Sequence, residues 1–266
     1  MHMLGGRGQK QNAQRGGFPE RRILDVPSVT PRTMREVQRI AQEDFAFDIL
    51  QITENAGRAA AAVALAMTGG HGRGQRVVIL AGGGNMGAAG LAAARHLVNW
   101  GCHVEPVFAE VETEMSFGAR RQVQILRKAG IIEAVGESTS EDTMEQHLHD
   151  ADLVIDAING YGFEGPATGI SAALINLLLE SRRPTLALDV PTGLKATTGE
   201  PTEPCIEATT TLALDLPKVG VVAPAARPYV GELYLADLGI PRAVYERAGV
   251  IVGSTFADGP IIRIRR

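Results

Sequence analysis

Two aspartates close apolar runs in this chain: Asp156 in "DLVIDAI", residues 152–158, and Asp189 in "PTLALDV", residues 184–190. A carboxylate at the end of an apolar strand is desolvated on one side, so it seeks a cation, a sugar hydroxyl or a helix N-terminus, and its proton affinity becomes adjustable. That is the chemistry of acid–base catalysis or ligand recognition. The competing reading for Asp189 is local, because Asp before a turn such as Pro191-Thr192-Gly193 also serves to bind nearby backbone N–H groups. A third feature, Gly82-Gly83-Gly84-Asn85-Met86-Gly87, fits G-x-G-x-x-G after an apolar run and before a helical one. Glycines there let backbone N–H groups approach a phosphate at a helix N-terminus. They also let a helix pack closely on a sheet, as Ala88, Ala89 and Gly90 favour. Gly160, Gly162 and Gly165 form a loop able to wrap a ligand.

The elements that must position these residues alternate. Runs rich in β-formers at 76–81, 103–109, 152–158 and 184–190 are separated by helical stretches at 88–100, 115–129, 141–149 and 170–181. That is βαβ grammar, which builds a mainly parallel sheet covered by helices on both faces. Before it, residues 28–67 read as two helices, the first starting after Thr30 with Pro31 at its first position and the second Ala-rich and buried. After Gly199, "TTTLALD", "VGVVAP" and "GELYLADLG" read as further strands of the same sheet, with no internal repeat and no linker. An open parallel sheet binds ligands beyond the carboxyl ends of its strands. The Gly-rich turn, Asp156 and Asp189 all fall at that edge.

The chain has 266 residues, enough for one large α/β domain, and its composition is 45% hydrophobic and 21% charged with a net charge of −4. This balance supplies no basic nucleic-acid surface, and no apolar run is long enough for a membrane span. Cys102 and Cys205 stand apart without a ligand pattern, which fits a reducing cytoplasm. Residues 1–22 are basic and Gly/Gln-rich without an apolar core, so they read as a disordered leader, with a single domain over 23–266.

These motifs together resemble the YjeF N-terminal domain family, which includes NAD(P)H-hydrate epimerases and the apolipoprotein A-I binding protein. "GNMGAAGLAAARHL" is similar to the family's "GNNGGDGL-x-AARHL", "IDAINGYGFEG" to its "VDA-(I/L)-FG-x-G", and "DVPTG" to its "D-(I/V)-P-S-G". "TENAGRA", "LPKVGVV" and "GELYLADLGIP" match further segments in the right order, from about residue 29 to 241. The resemblance implies a Rossmann-like three-layer α/β sandwich, often a homodimer. It also implies an enzyme that interconverts the R and S epimers of hydrated NAD(P)H, a small-molecule dinucleotide, as nicotinamide nucleotide repair. By that resemblance Asn85, Met86, Gly87, Ala88 and Ala89, with Gly160, Tyr161, Gly162, Phe163, Glu164, Gly165 and Pro166, would hold the dinucleotide. Asp189 would contact the substrate as acid or base. A potassium ion would sit near Met86, Asp156 and Thr192.

Several departures fall in these loops. Met86 stands where the family has Asn, and a thioether is a poor ligand for a hard cation, so potassium binding should be weak or absent. Ala89 replaces a carboxylate in the first helical turn, Ala88 a Gly, and Asn159 an apolar residue. The expectation is therefore a hydrate epimerase, weakened and independent of potassium. The alternative is a non-catalytic nucleotide-binding or scaffold domain on the same fold. A conventional oxidoreductase would use Glu110 on the ribose, but nothing in the sequence supplies hydride transfer.

Overall fold

The computed structural model describes residues 17–132, 141–163 and 165–266. Eight strands are present among them: β1 Glu20–Arg22, β2 Arg76–Ala81, β3 His103–Phe108, β4 Leu153–Ala157, β5 Thr185–Leu188, β6 Thr210–Leu214, β7 Glu232–Ala236 and β8 Ile261–Arg265. They form one sheet in the order β3-β2-β4-β5-β6-β7-β8-β1. Neighbours run parallel except β7 and β8.

Strand polarity follows from the intervening helices. Parallel neighbours need crossovers, and α3 Asn85–Asn99, α4 Phe117–Lys128, α5 Glu141–Asp150 and α6 Gly169–Ser181 supply them. Two more, α1 Pro31–Glu43 and α2 Ile49–Met67, precede β2. The helix starts follow capping chemistry. The Thr30 side chain accepts from Thr33 N–H with Pro31 behind it, and Asp48 and Gln51 close a reciprocal capping box.

Alternate residues of the strands feed two cores. Val77, Ile79 and Ala81 of β2 join Ile155, Leu186 and Leu212 beneath α1 to α4, while Val78 and Leu80 join Val154 and Ala187 beneath α5 and α6. This is the expected three-layer sandwich. The chain leaves β2 toward β3 on one side and returns past β2 to β4 on the other. The crevice between the carboxyl ends of β2 and β4 is thus the switch point, where open α/β sheets receive ligands.

Three details differ from the sequence reading. Glu20–Arg22, placed there in the leader, pair with Arg263–Arg265 as the parallel edge strand β1, so the fold begins before residue 23. Residues 1–16 of that leader lie outside the described residues. "VGVVAP" is not a strand: Val219–Val222 form a single helical turn, α7, because the chain turns off the sheet at Pro217. The antiparallel β8 had no counterpart in the reading. The short helices α8 Arg227–Val230 and α9 Arg242–Arg247 complete the fold, and no described helix is long and apolar enough to cross a membrane.

Candidate functional site

Asp156, Asp189 and Asp215 stand at the carboxyl ends of the adjacent strands β4, β5 and β6, each essentially inaccessible. Each accepts a backbone N–H from the segment beyond the next strand or at its end. Asp156 Oδ2 takes Thr192 N–H at 2.8 Å, Asp189 Oδ1 takes Leu214 N–H at 3.2 Å, and Asp215 Oδ1 takes Leu238 N–H at 3.1 Å. The three carboxyls therefore tie the departing loops to one another in a staircase along the edge.

Their remaining partners separate their roles. Asp156 Oδ1 also accepts from the Thr192 hydroxyl at 2.7 Å and from Ile158 N–H at 3.2 Å, and Thr192 in turn accepts from Asn159 N–H. Burial raises the Asp156 carboxyl to about 6 although these donors oppose the rise. Asp156 is thus engaged in fastening two loops and does not line the pocket described next.

Asp189 does. Its Oδ1 meets the ammonium of Lys218 at 2.5 Å, and its Oδ2 accepts from Tyr161 N–H at 3.3 Å. Lys218 is itself buried, donates to the carbonyl of Leu214, and lies 4.9 Å from the centre of the Tyr161 ring. It is held there because the backbone on both sides of it pairs with Val29. Asp189 also has φ of 67°, a left-handed conformation that its short polar side chain tolerates.

A pocket of about 30 Å³ opens between α1, α2, the start of α3 and this edge, lined among others by Gln38, Asn85, Met86, Ala89, Tyr161, Asp189 and Asp215. It has room for a water or two. Tyr161 plugs it, with its hydroxyl donating to Gln38 at 2.6 Å and its phenol pushed upward by burial and by the charge of Asp189. Met86 closes the other wall, for a Cβ on Gly160 would lie 2.7 Å from its Cγ.

The expected ligand residues thus divide. Asn85, Met86, Ala89, Tyr161 and Asp189 converge on the pocket. Gly87 does not, since it packs on the carbonyl of Gly82, which is itself pressed against Ile158; a Cβ at either glycine would collide. The first and last glycines of the G-x-G-x-x-G run are therefore demanded by helix-on-sheet packing, while Gly84 borders open space. Ala88 is buried toward Gly118 of α4. Gly162, Phe163 and Pro166 are exposed outside the pocket, Gly165 is half-buried, and Glu164 lies outside the described residues. Glu110 lies against Gly83.

The place expected for potassium, near Met86, Asp156 and Thr192, does not fit a hard cation. The Asp156 oxygens face three N–H and O–H donors, the Thr192 oxygen both donates and accepts within the protein, and residue 86 offers sulfur packed on Gly160. No cluster of His, Cys, Asp and Glu suited to a metal occurs among the described residues.

Lys218 and Asp215 were missed as site residues. Lys218 lies in "LPKVGVV", one of the segments matched to the family, but a lysine is normally exposed and it was not placed in the site. Asp215 had a signal: Thr-Leu-Ala-Leu-Asp occurs twice, followed by Val-Pro at 190–191 and by Leu-Pro at 216–217. The second copy ends the adjacent strand.

Comparison with known proteins agrees with this architecture. The family model described as YjeF-related protein N-terminus matches residues 50–220. A protein named NAD(P)H-hydrate epimerase from Dehalogenimonas lykanthroporepellens is 36% identical over 90% of this chain and 93% of its own. One of the same name from Rhodopirellula baltica is 34% identical over 86% of this chain and 91% of its own. A bifunctional NAD(P)H-hydrate repair enzyme Nnr from Moorella thermoacetica is 37% identical over 80% of this chain, which spans only 41% of that longer protein. The crystal structure of yeast YNL200c shares the fold, with a TM-score of 0.74 at 22% identity over 90% of this chain and all of that one. The chain belongs to the YjeF N-terminal family.

Proposed function

We propose that this protein is an NAD(P)H-hydrate epimerase, an isomerase that interconverts the R and S forms of a hydrated nicotinamide nucleotide in a reducing cytoplasm. The relatives of that name are matched over more than nine-tenths of their length. The observation in the structure that supports the chemistry is the Asp189 carboxylate, buried at the pocket wall and gripped by Lys218, Tyr161 N–H and Leu214 N–H. Epimerisation at a hydrated ring carbon requires proton transfer at the hydroxyl and an anion beside the transient ring cation, without a hydride acceptor. Asp189 is the acid or base and the counter-charge, and Lys218 is a positioning residue that fixes its orientation.

The substrate ring enters between Met86, Ala89 and Tyr161, displacing the Tyr161 ring from its seat on Gln38. The first-turn N–H groups of α3, whose cap residue Gly84 supplies no side chain, face the nucleotide phosphates. No step is routed through a metal ion. Two free, buried cysteines agree with the proposed compartment. A scaffold role has less behind it, because it leaves the Asp189 and Lys218 pair at the pocket without a task.

The test is R-to-S interconversion of hydrated NADH by the purified chain, with Asp189→Asn beside it. Turnover that disappears in the variant supports the reading. A wild-type chain that binds nucleotide without turnover overturns it.

A further inference from the structure

Asp189 and Asp215 occupy equivalent positions on neighbouring strands. Each follows Leu-Ala-Leu, each precedes an aliphatic residue and a proline, and each is left-handed, with φ of 67° and 61°. The N–H of each donates to the next strand, from Asp189 to Leu212 and from Asp215 to Ala236. The twin turns aim both carboxyls at the same pocket. A backbone conformation that most residues avoid is used twice to place a carboxyl at this one pocket.

The two carboxyls are differently supplied with donors. Asp189 receives two N–H groups and the Lys218 ammonium. Asp215 receives Leu238 N–H on Oδ1 and has the Tyr245 hydroxyl as its one side-chain hydrogen-bonding neighbour, while its buried Oδ2 has no partner at full hydrogen-bond geometry among the described residues. The charged or titratable groups facing it are Lys218 from the turn after β6, Asp237 from the end of β7 and Tyr245 from α9. Lys218 is committed to Asp189 and the Leu214 carbonyl. A buried carboxyl so sparsely supplied with donors is costly as an anion, but as a neutral acid it carries a proton to give.

The geometry points to Asp215 as the second acid–base residue of this pocket, opposite in protonation to Asp189. The inference rests on the epimerase reading and deepens it. In one direction the carbon–oxygen bond of the hydrated ring carbon breaks, its electron pair leaves with the oxygen, and that oxygen takes the Asp215 proton and departs as water. The lone pair of the ring nitrogen forms the cationic double bond, which lies beside the Asp189 charge. Water then adds to the opposite ring face and gives its proton to Asp189. The pair left behind, ionised Asp215 and neutral Asp189, is the form that runs the reverse direction, and exchange with solvent restores the start. Burial lifts Asp215 to about 7 against the pull of Leu238 N–H, Lys218 and the Tyr245 hydroxyl, which agrees with a proton held at neutral pH.

The experiment is the pH profile of epimerisation by the full chain, compared with Asp215→Asn and Asp189→Asn, alongside melting curves and binding of intact NADPH. The expected result for Asp215→Asn is a rate lower by about 10²- to 10⁴-fold with loss of the wild-type limb near neutrality, while melting and nucleotide binding persist. Full rate and an unchanged profile in Asp215→Asn, with Asp189→Asn inactive, overturn the inference and leave the epimerase reading standing. Absence of turnover in the wild type overturns both. Should the Asn variant not fold, Asp215→Glu decides: a displaced limb supports the assignment, and an unaltered profile at full rate sinks it.

Discussion

The ammonium of Lys218 lies 2.5 Å from Oδ1 of Asp189, and the two side chains are 1% and 0% exposed. Two charges at that depth are stable only as a pair, because each has lost its water and the other replaces it. Lys218→Met should therefore cost about 3–5 kcal/mol in unfolding free energy, the penalty of leaving Asp189 buried and unpaired. Adding Asp189→Asn should return part of that loss, since no charge is then stranded. Denaturant unfolding of both single variants and the double variant checks this. Strictly additive losses would mean that the two groups do not depend on one another.

Gly160 and Met86 make a second pair whose coupling is steric. A Cβ at residue 160 would lie 2.7 Å from Met86 Cγ, inside any normal contact. Gly160→Ala should lower stability by about 1–3 kcal/mol. In a Met86→Ala background, where the obstructing side chain is gone, the same change should cost well under half as much. Melting temperatures of the four proteins decide the matter, and an equal cost in both backgrounds removes Met86 as the obstacle.

What the sequence revealed and what it concealed have the same physical origin. Asp156 and Asp189 were legible because each interrupts an apolar strand, and the sheet was legible because βαβ alternation is a local pattern. Lys218 was not, since its burial depends on the backbone pairing of its turn with Val29 and on a carboxylate from another strand. β1 was hidden for a similar reason: Glu20–Arg22 carries no apolar signal and becomes a strand only by pairing with Arg263–Arg265 at the other end of the chain. The Gly-rich run leads from β2 into α3, yet the packing at Gly82 and Gly87 shows that a phosphate motif and a close helix–sheet contact demand the same residue.

Thr192 should prove structural and not cation-binding. Its hydroxyl donates to Asp156 at 2.7 Å and accepts from Asn159 N–H at 3.1 Å. Thr192→Val should cost about 1–3 kcal/mol by stranding both partners, whereas Thr192→Ser should be nearly neutral. Replacing sodium chloride by potassium chloride at equal ionic strength should leave the wild-type melting temperature unchanged. A specific rise in potassium, absent in Thr192→Val, would show that the loop opens to admit the ion after all.

The buried carboxyls also set a pH dependence of stability, and its sign is opposite to that of most paired carboxylates. Asp156 and Asp215 are raised from 3.8 to about 6 and about 7 in the folded chain, chiefly by burial. The folded state therefore binds their protons more tightly than the unfolded state does. Their contribution to stability is complete below about pH 4 and declines as pH rises through 6 and 7. For Asp215, each unit of displacement corresponds to about 1.4 kcal/mol, so the penalty at pH 8 is on the order of 1–4 kcal/mol. Asp215→Asn keeps an acceptor for Leu238 N–H and cannot ionise. It should melt higher than wild type at pH 8, with the difference closing toward pH 4. Calorimetry across that range tests it. A constant gap between the two proteins would mean that Asp215 ionises in the fold as readily as in water, and would take away the neutral acid that the pocket is inferred to use.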